Sequence, residues 1–126
     1  MLRTRVGVLR GGPSNEYEVS LRTGKNVLDN LPPEDYQPID IYIDRAGVWH
    51  RGGIPKDPRE ALNDIDVVWN ALHGEYGEDG KLQQFLDHLK MPYTGSGALS
   101  SAISMNKVLA KKYFAQANIR SPYHRL

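Results

Sequence analysis

Short apolar segments that suit β-strands alternate along this chain with segments whose apolar residues recur at helical spacing. In residues 82–89, for example, leucine and phenylalanine recur at i, i+3, i+4 and i+7, which is typical of one face of an amphipathic helix. Strands are predicted over residues 5–10, 36–44 and 65–72, and helices over residues 14–30 and 82–89. Because strands that alternate with helices form parallel sheets covered by helices, we predict an α/β fold with a parallel sheet flanked by helices.

The first predicted helix begins with Ser14 or Asn15 as its cap and ends at Pro32. Its inward face is expected to be small near the start and bulkier later: Ser20, Gly24, Val27, Leu28 and Leu31. Further predicted elements are a hairpin arm over 48–51, a short helix over 58–63, a short strand over 91–94, and helices over 98–104 and 106–117. No partner strand follows the last helix, so we expect one domain over residues 1–97 and the start of another over 98–126.

The composition excludes several classes of protein. Among the 126 residues, 16 lysines and arginines nearly balance 15 aspartates and glutamates, which argues against a surface built to bind a nucleic-acid backbone. The absence of cysteine excludes disulfides and thiolate metal sites, and the four histidines are too scattered to predict a histidine metal site. No apolar run is long enough for a membrane span or a signal peptide. We therefore expect a cytoplasmic domain with no membrane or nucleic-acid partner.

The first predicted strand ends in a loop that is rich in glycine and leads directly into a helix, at Gly11-Gly12-Pro13-Ser14-Asn15-Glu16. Ligands of α/β sheets bind at the carboxyl ends of the strands, where glycine allows close approach and a helix start offers N–H groups. Such a loop can hold an amino acid, with N–H groups facing the carboxylate of the ligand and Glu16 facing its ammonium. An ordinary strand-to-helix turn with capping acids is the alternative, and the composition by itself favours it, since such turns are common.

A second glycine-rich loop, over residues 73–80, follows the most buried predicted strand. It begins with His73, and its carboxylates at Glu75, Glu78 and Asp79 lack the alternating ligand spacing of a calcium loop. A mobile acidic loop, with the histidine bonded to backbone, is the alternative. Further along, Lys107 and two neighbouring lysines form a small basic helix face, which a solvated surface also explains.

Three runs in this sequence, in this order, resemble signatures of the D-alanine–D-alanine ligases. They are Gly11-Gly12-x-Ser14-x-Glu16-x-x-Val19-Ser20, then His73-Gly74-x-x-Gly77-Glu78-Asp79-Gly80-x-Leu82-Gln83, and then Pro92-Tyr93-Thr94-Gly95-Ser96-Gly97 followed by Ser104-Met105-Asn106-Lys107. The resemblance covers essentially the whole chain but only about the first third of a typical ligase. The sequence departs from the family pattern at Arg10, Gln84 and Asn106, where an apolar residue, a small residue and an aspartate are usual.

The resemblance implies an ATP-dependent carboxylate–amine ligase of the ATP-grasp superfamily. In this family ATP phosphorylates one D-alanine, and the amine of a second D-alanine attacks the acyl phosphate to give the dipeptide for peptidoglycan in the cell wall. Residues 1–97 would then be the Rossmann-like, substrate-binding amino-terminal domain, and residues 98–126 the helical start of the ATP-grasp region. ATP and magnesium are the implied cofactors, D-alanine and ATP the implied ligands, and a homodimer the implied assembly of the full-length protein.

By the same resemblance, Glu16 and His73 are the expected catalytic residues. Glu16 would hold the ammonium of the first D-alanine, and His73 would lie near its carboxylate. Lys107 would contact the ATP phosphates. The expected substrate-binding residues are Gly12, Ser14, Val19, Ser20 and Gly74. The family's magnesium ligands lie in its ATP-grasp domains, so the resemblance implies no metal ligand among these 126 residues.

Two other functions stay open at this point. One is a stand-alone module that binds an amino acid or docks on a partner. The other is an ATP-grasp ligase with a different second substrate, since the residues that choose that substrate lie mostly beyond those matched here. On the ligase interpretation, we expect the 126-residue chain to be inactive by itself.

Overall fold

The computed structural model of the protein describes residues 3–74 and 81–94. In these ranges the chain forms, in order, β1 (Thr4–Gly11), α1 (Tyr17–Asn30), β2 (Tyr36–Ile43), β3 (Trp49–Arg51), β4 (Ile54–Lys56), α2 (Pro58–Ala61), β5 (Val67–Asn70) and α3 (Lys81–His88). None of these helices has the length and apolar character that a membrane span requires. The helices predicted over 98–104 and 106–117, and with them the whole region 98–126, lie outside the described residues.

The strands form one sheet in the order β4-β3-β2-β1-β5. β1 runs parallel to its two neighbours, β2 and β5. β3 is antiparallel to β2, and β4 is antiparallel to β3. The predicted α/β fold is confirmed: helices flank the sheet, and the three strands predicted over 5–10, 36–44 and 65–72 are parallel, while the antiparallel strands β3 and β4 make the sheet mixed.

A tight hairpin explains the antiparallel part of the sheet. Gly52 and Gly53 both have positive φ angles, of 63° and 77°, and they join β3 to β4 as a two-residue turn. Turns with two positive φ angles match the twist of antiparallel strands, and glycine adopts them without steric cost. The hairpin arm predicted over 48–51 is present as β3. The sequence analysis missed β4, because a three-residue edge strand that contains Pro55 carries almost no strand signal.

Apolar side chains pack on both faces of the sheet. The cluster on the side of α1 consists of Val6, Val8, Val27, Leu31, Tyr36, Val67, Trp69 and Ala71. The cluster on the side of α2 and α3 consists of Leu9, Ile41, Ile43, Trp49, Ala61, Leu62, Ile65, Val68, Leu72, Leu82 and Leu86. Successive side chains of a strand point to opposite faces, so β1 contributes to both clusters.

Helix α1 packs against β1 through the inward face that its sequence predicts. Ser20, Gly24 and Val27 are buried, and Leu31 just beyond the helix is 4% exposed. At Gly24 the helix lies so close to the sheet that a Cβ would be 2.5 Å from the Cβ of Arg10. The side chain of Arg10 passes alongside and binds Asp40 of β2, with 2.7 Å between Nη2 and Oδ2. Glycine at this position therefore sets the distance between helix and sheet.

Several boundaries differ from the sequence-based ones for identifiable reasons. α1 begins at Tyr17 rather than at residue 14, because the hydroxyl of Ser14 forms a local turn by accepting the N–H of Glu16. β5 ends at Asn70 rather than at residue 72, because the side chain of Asn70 accepts the N–H of Leu72 and turns the chain. The short strand predicted over 91–94 is reduced to a single parallel bridge between Val68 and Tyr93.

Candidate functional site

The strand order switches at β1, in the parallel part of the sheet. From β1 the chain passes to β2 on one side, and it later returns to β5 on the other side of β1. In α/β sheets, ligands bind outside the carboxyl ends of the strands at such a switch point. Here β1 is followed by residues 12–16, and β5 is followed by residues 71–74. The first glycine-rich loop and the start of the second, at residues 73–74, therefore meet at the same edge.

The backbone at the end of β1 requires the paired glycines Gly11 and Gly12. Gly11 and Gly12 have φ angles of 99° and 95°, and a Cβ at Gly11 would lie 2.2 Å from the carbonyl oxygen of Ile43. Their N–H groups both donate within the protein: Gly11 to Oγ of Ser20 at 2.9 Å, and Gly12 to the carbonyl of Ile43 at 2.7 Å. A ligand at this edge must therefore find its hydrogen-bond donors elsewhere than in these two glycines.

Ser14 joins the two loops. Its side chain is buried, and its hydroxyl donates to the carbonyl of His73 at 2.7 Å while accepting the N–H of Glu16 at 3.0 Å. One hydroxyl thus fixes the backbone of both predicted catalytic residues relative to each other. This contact joins positions that are 59 residues apart in the sequence.

Gly74 allows the loops to come this close. Its φ angle is 73°, and a Cβ at this position would lie 3.0 Å from Oγ of Ser14 and 3.3 Å from Cγ of Glu16. Any side chain would press on both residues and would adopt a strained backbone conformation. The carboxylate side chain of Glu16 is exposed, so it is accessible at this edge.

His73 follows β5 and is half-buried. Its Nε2 lies 3.0 Å from Oγ1 of Thr23, on the second turn of α1. The sequence analysis did not single out Thr23. A signal was available, since Glu16, Ser20 and Thr23 are spaced by four and three residues, which places their side chains on neighbouring parts of one helix face.

Ser20 lies beneath the site and is fully buried. Its hydroxyl donates to the carbonyl of Ala71 at 2.8 Å and accepts the N–H of Gly11. Ser20 therefore links α1 to the ends of both β1 and β5. Val19, by contrast, is 40% exposed on the surface of α1. Of the expected site residues, the structure brings together Gly12, Ser14, Glu16, His73 and Gly74, with Ser20 below them. Lys107 lies outside the described residues.

Beside this edge, aromatic and charged side chains attach the β2–β3 connection to the start of α1. The hydroxyls of Tyr17 and Tyr42 are hydrogen-bonded, and this bond, helped by partial burial, raises the pKa of Tyr42 to about 12. The guanidinium of Arg45 lies 4.2 Å from the centre of the Tyr17 ring. His50 pairs with Asp44 at 3.1 Å. The sequence analysis missed this cluster, because its members come from separate elements.

Within residues 3–74 and 81–94, no three histidine, aspartate or glutamate side chains come close enough together to hold a metal ion. His88 is exposed on α3. Because magnesium can be held by one or two carboxylates together with phosphate oxygens, these residues by themselves assign no magnesium ligand.

The chain is similar in sequence and in structure to proteins of one known family. The family model described as "D-ala D-ala ligase N-terminus" matches residues 5–57 and 53–96. A D-alanine–D-alanine ligase from Solibacter usitatus is 43% identical over 111 residues, which are 88% of this chain and 34% of that protein. The chain thus spans about a third of the length of this relative.

Solved structures give the same result. The D-alanine–D-alanine ligase from Bacillus anthracis, crystallised with ATP, is 38% identical and superimposes with a TM-score of 0.63 over 92% of this chain and 35% of that one. The VanG D-Ala:D-Ser ligase from Enterococcus faecalis is 28% identical, also with a TM-score of 0.63, over 91% of this chain and 42% of that one.

Proposed function

Because this chain belongs to the family of D-alanine–D-alanine ligase amino-terminal domains, we propose that it binds the first D-alanine for an ATP-dependent ligase. The observation that carries the proposal is the junction of the two loops: Ser14 and Gly74 hold Glu16 and His73 together at the switch point of the sheet. An amino acid needs an anionic group for its ammonium and a polar or cationic group for its carboxylate, and these two side chains are of the required types.

In the proposed reaction, ATP transfers its terminal phosphoryl group to the carboxylate of the first D-alanine. The amine of the second D-alanine then attacks the acyl carbon, the peptide C–N bond forms, and phosphate leaves. Glu16 contributes a charge-assisted contact to the ammonium of the first substrate, which fixes its orientation. His73 faces the carboxylate, where charge changes as the acyl phosphate forms.

The residues around Glu16 and His73 position this pair through contacts with the backbone. Ser14 fixes the backbone of Glu16 and of His73, Gly12 and Gly74 allow close approach, and Ser20 holds the strand ends beneath. Val19 stays a proposed substrate contact from the resemblance alone. Two further proposals rest on the resemblance alone: the role of Lys107 at the ATP phosphates and the division of the chain at residue 97.

The rest of the ligase function is also a proposal. Support for ATP as a substrate comes from the related Bacillus anthracis enzyme that was crystallised with it. We propose that magnesium, if the family pattern applies, is held by residues other than those described here. A reaction that consumes ATP and supplies a cell-wall dipeptide favours a cytoplasmic location. The homodimer, and the inactivity of these 126 residues by themselves, stay predictions.

A chimera tests this function. The chain would replace the corresponding amino-terminal part of the Bacillus anthracis ligase, and phosphate release would be measured with ATP and D-alanine. We expect activity from the chimera and none from the chain alone. A chimera that is folded and binds ATP, yet releases no phosphate on addition of D-alanine, would contradict the proposal.

Within that chimera, Glu16→Gln should lower kcat/KM for the first D-alanine roughly ten- to a hundredfold, chiefly through KM. The reason is that a hydrogen bond to a charged group is worth about 1.5–3 kcal/mol. Glu18→Gln is the matched control, because Glu18 lies two residues further on and pairs only loosely with Arg45, at 3.6 Å. Equal effects of the two substitutions would show that Glu16 acts only through the general charge of the helix start.

A ligase with a different second substrate is the second candidate. It is supported by the similarity to the VanG ligase, whose name gives D-serine as a substrate. Assaying D-serine against D-alanine as the second substrate, in the protein that natively carries these residues, distinguishes the two.

A further inference from the structure

We propose that Tyr17 is a positioning residue for Glu16, and that Tyr42 and Arg45 hold Tyr17 in place from β2 and from the turn that follows it. The proposal rests on the proposed function for its effect on substrate binding. Its structural part concerns the first turn of α1, and it stands on contacts that join Tyr17 to three other parts of the fold.

The side chain of Glu16 does not hold the start of α1. Glu16 is the N-cap residue of this helix, but its side chain makes no capping hydrogen bond. In many helices a side-chain oxygen of the N-cap residue accepts an N–H of the first turn and thereby helps to keep that turn closed. Because this bond is absent at Glu16, the first turn of α1 depends on other contacts.

Tyr17, the first residue of α1, provides such contacts. Its hydroxyl is hydrogen-bonded to the hydroxyl of Tyr42 on β2, and the two rings meet edge to face with 6.2 Å between their centroids. A Cβ at Gly11 would lie 3.4 Å from Cε1 of Tyr17, so the Tyr17 ring packs beside the end of β1. The residue directly after Glu16 is therefore tied to both β1 and β2.

The turn after β2 also holds the Tyr17 ring. Asp44 shapes this turn, because its Oδ1 accepts the N–H groups of Ala46 and Val48, each at 2.9 Å. Arg45 belongs to the same turn, and its guanidinium lies 4.2 Å from the centre of the Tyr17 ring. At this distance the face of an aromatic ring attracts a cation. The turn thus adds a third attachment for the start of α1.

These attachments predict which kinetic constant depends on them. Ser14 accepts the N–H of Glu16, and Tyr17 fixes the backbone on the other side of the same residue. If Tyr17 is released, the first turn opens and the carboxylate leaves the place at which it meets the substrate ammonium. The apparent affinity for the first D-alanine then falls in proportion to the fraction of molecules in which the turn stays closed. We expect KM to rise and kcat to change little, since the bond between Ser14 and His73 is untouched.

The structural part is tested by amide hydrogen exchange in the 126-residue chain without ligand. The reporter is the N–H of Ser20, which donates to the carbonyl of Glu16 at 2.9 Å across the first turn. Tyr42→Phe removes one hydroxyl and keeps the ring, and it should speed this exchange about two- to tenfold, the range of one hydrogen bond. The N–H of Leu31, which bonds to Val27 at the far end of α1, should exchange as in the wild type. Equal acceleration at both ends would mean that only the global stability changed, and would overturn the proposal.

The cation is tested by Arg45→Met, which removes the guanidinium from the Tyr17 ring and should also speed the exchange of the Ser20 N–H. Lys25→Met is the matched control, because it removes the same charge from an exposed ion pair further along α1 and should leave the first turn closed. An unchanged exchange rate of the Ser20 N–H in both Tyr42→Phe and Arg45→Met would overturn the proposal.

The effect on binding is tested in the active chimera. Tyr42→Phe should raise KM for the first D-alanine about two- to tenfold and leave kcat within about twofold of the wild type. In a Glu16→Gln background the same substitution should have little further effect, because the carboxylate that Tyr17 positions is already gone. Tyr17→Phe removes the other hydroxyl of the same bond, should give the same result, and replaces Tyr42→Phe if that variant does not fold.

The two experiments separate this proposal from the proposed function. A chimera without activity would contradict the ligase function, while the exchange of the Ser20 N–H, which needs no substrate, would still decide whether Tyr17 holds the first turn. Faster exchange with an unchanged KM, or effects of Tyr42→Phe and Glu16→Gln that simply add, would overturn the positioning role of Tyr17 in an active enzyme.

Discussion

Replacing Ser20 by alanine should destabilise the protein by about 2–4 kcal/mol, although the substitution favours the helix locally. The hydroxyl of Ser20 is fully buried, and it pairs with the carbonyl of Ala71 and with the N–H of Gly11. Alanine leaves both backbone groups without this partner, and an unsatisfied buried polar group costs about 1–3 kcal/mol. The gain in helix propensity from serine to alanine is at most about 0.7 kcal/mol, so the loss prevails.

Urea unfolding followed by tryptophan fluorescence measures this loss. Trp69 is fully buried and Trp49 is 2% exposed, so both report on the core. In thermal unfolding, the melting temperature should fall by roughly 4 °C for each kcal/mol of stability that is lost in a chain of this size. Asn26→Ala is the matched control, because it introduces the same residue at an exposed position of the same helix and should stabilise the protein slightly or have no effect.

The prediction also separates two roles for Ser20. If its hydroxyl contacts the substrate, as the resemblance to the ligases implies, Ser20→Ala should raise KM in the chimera while the folded state keeps its stability. A loss of stability below about 0.5 kcal/mol would refute the argument from the buried hydrogen bonds, since surface substitutions fall in that range.

Two further predictions concern the packing of α1 and the response to acid. Gly24→Ala should lower the melting temperature, because the added Cβ would lie 2.5 Å from the Cβ of Arg10. The cost of overpacking is roughly 1–3 kcal/mol, which exceeds the gain of about 1 kcal/mol in helix propensity, and a more stable variant would contradict this. The pKa of Asp44 lies below its ordinary value because the N–H of Val48 and the ring of His50 bond to its carboxylate. Its contribution to stability is therefore present above about pH 4 and lost as the pH falls further, so the difference in unfolding free energy between wild type and Asp44→Asn should narrow in acid; a difference that is constant with pH would contradict this.

The alternation of strand and helix signals was sufficient to predict the α/β fold, because β1 and β5 are buried runs and the buried residues of α1 recur at helical spacing. The inward face of α1 was predicted residue by residue, since helical spacing determines which side chains share a face. The β3–β4 hairpin was predicted only in part. Its strands have three residues each, and a segment that short gains its order from its neighbour in the sheet rather than from its own pattern.

The candidate site was likewise predictable from the sequence only in part. Glycine and acidic residues after the strands marked the two loops, because the backbone geometry at Gly11 and Gly74 demands glycine at those positions. The contact between the loops was not predictable from spacing, since Ser14 and His73 are 59 residues apart. The pairing of Thr23 with His73 was missed for the same reason, and the sequence pattern of one helix cannot show which loop lies opposite it.

Gly24 determines how closely α1 approaches the sheet, and the hydrogen bonds of the Ser20 and Thr23 hydroxyls depend on that distance. Ser20 reaches the backbone of Gly11 and Ala71 at less than 3 Å, and Thr23 reaches the ring of His73 at 3.0 Å. Gly24 is the residue next to Thr23 and lets the helix approach β1 without a side chain between them. If the helix moved outward by about 1 Å, both hydroxyls would lie too far from their partners, since hydrogen bonds in proteins have donor–acceptor distances of about 2.5–3.2 Å. The packing of α1 and the geometry of the candidate site are therefore one structural property, and Gly24→Ala should disturb the His73 ring as well as the melting temperature.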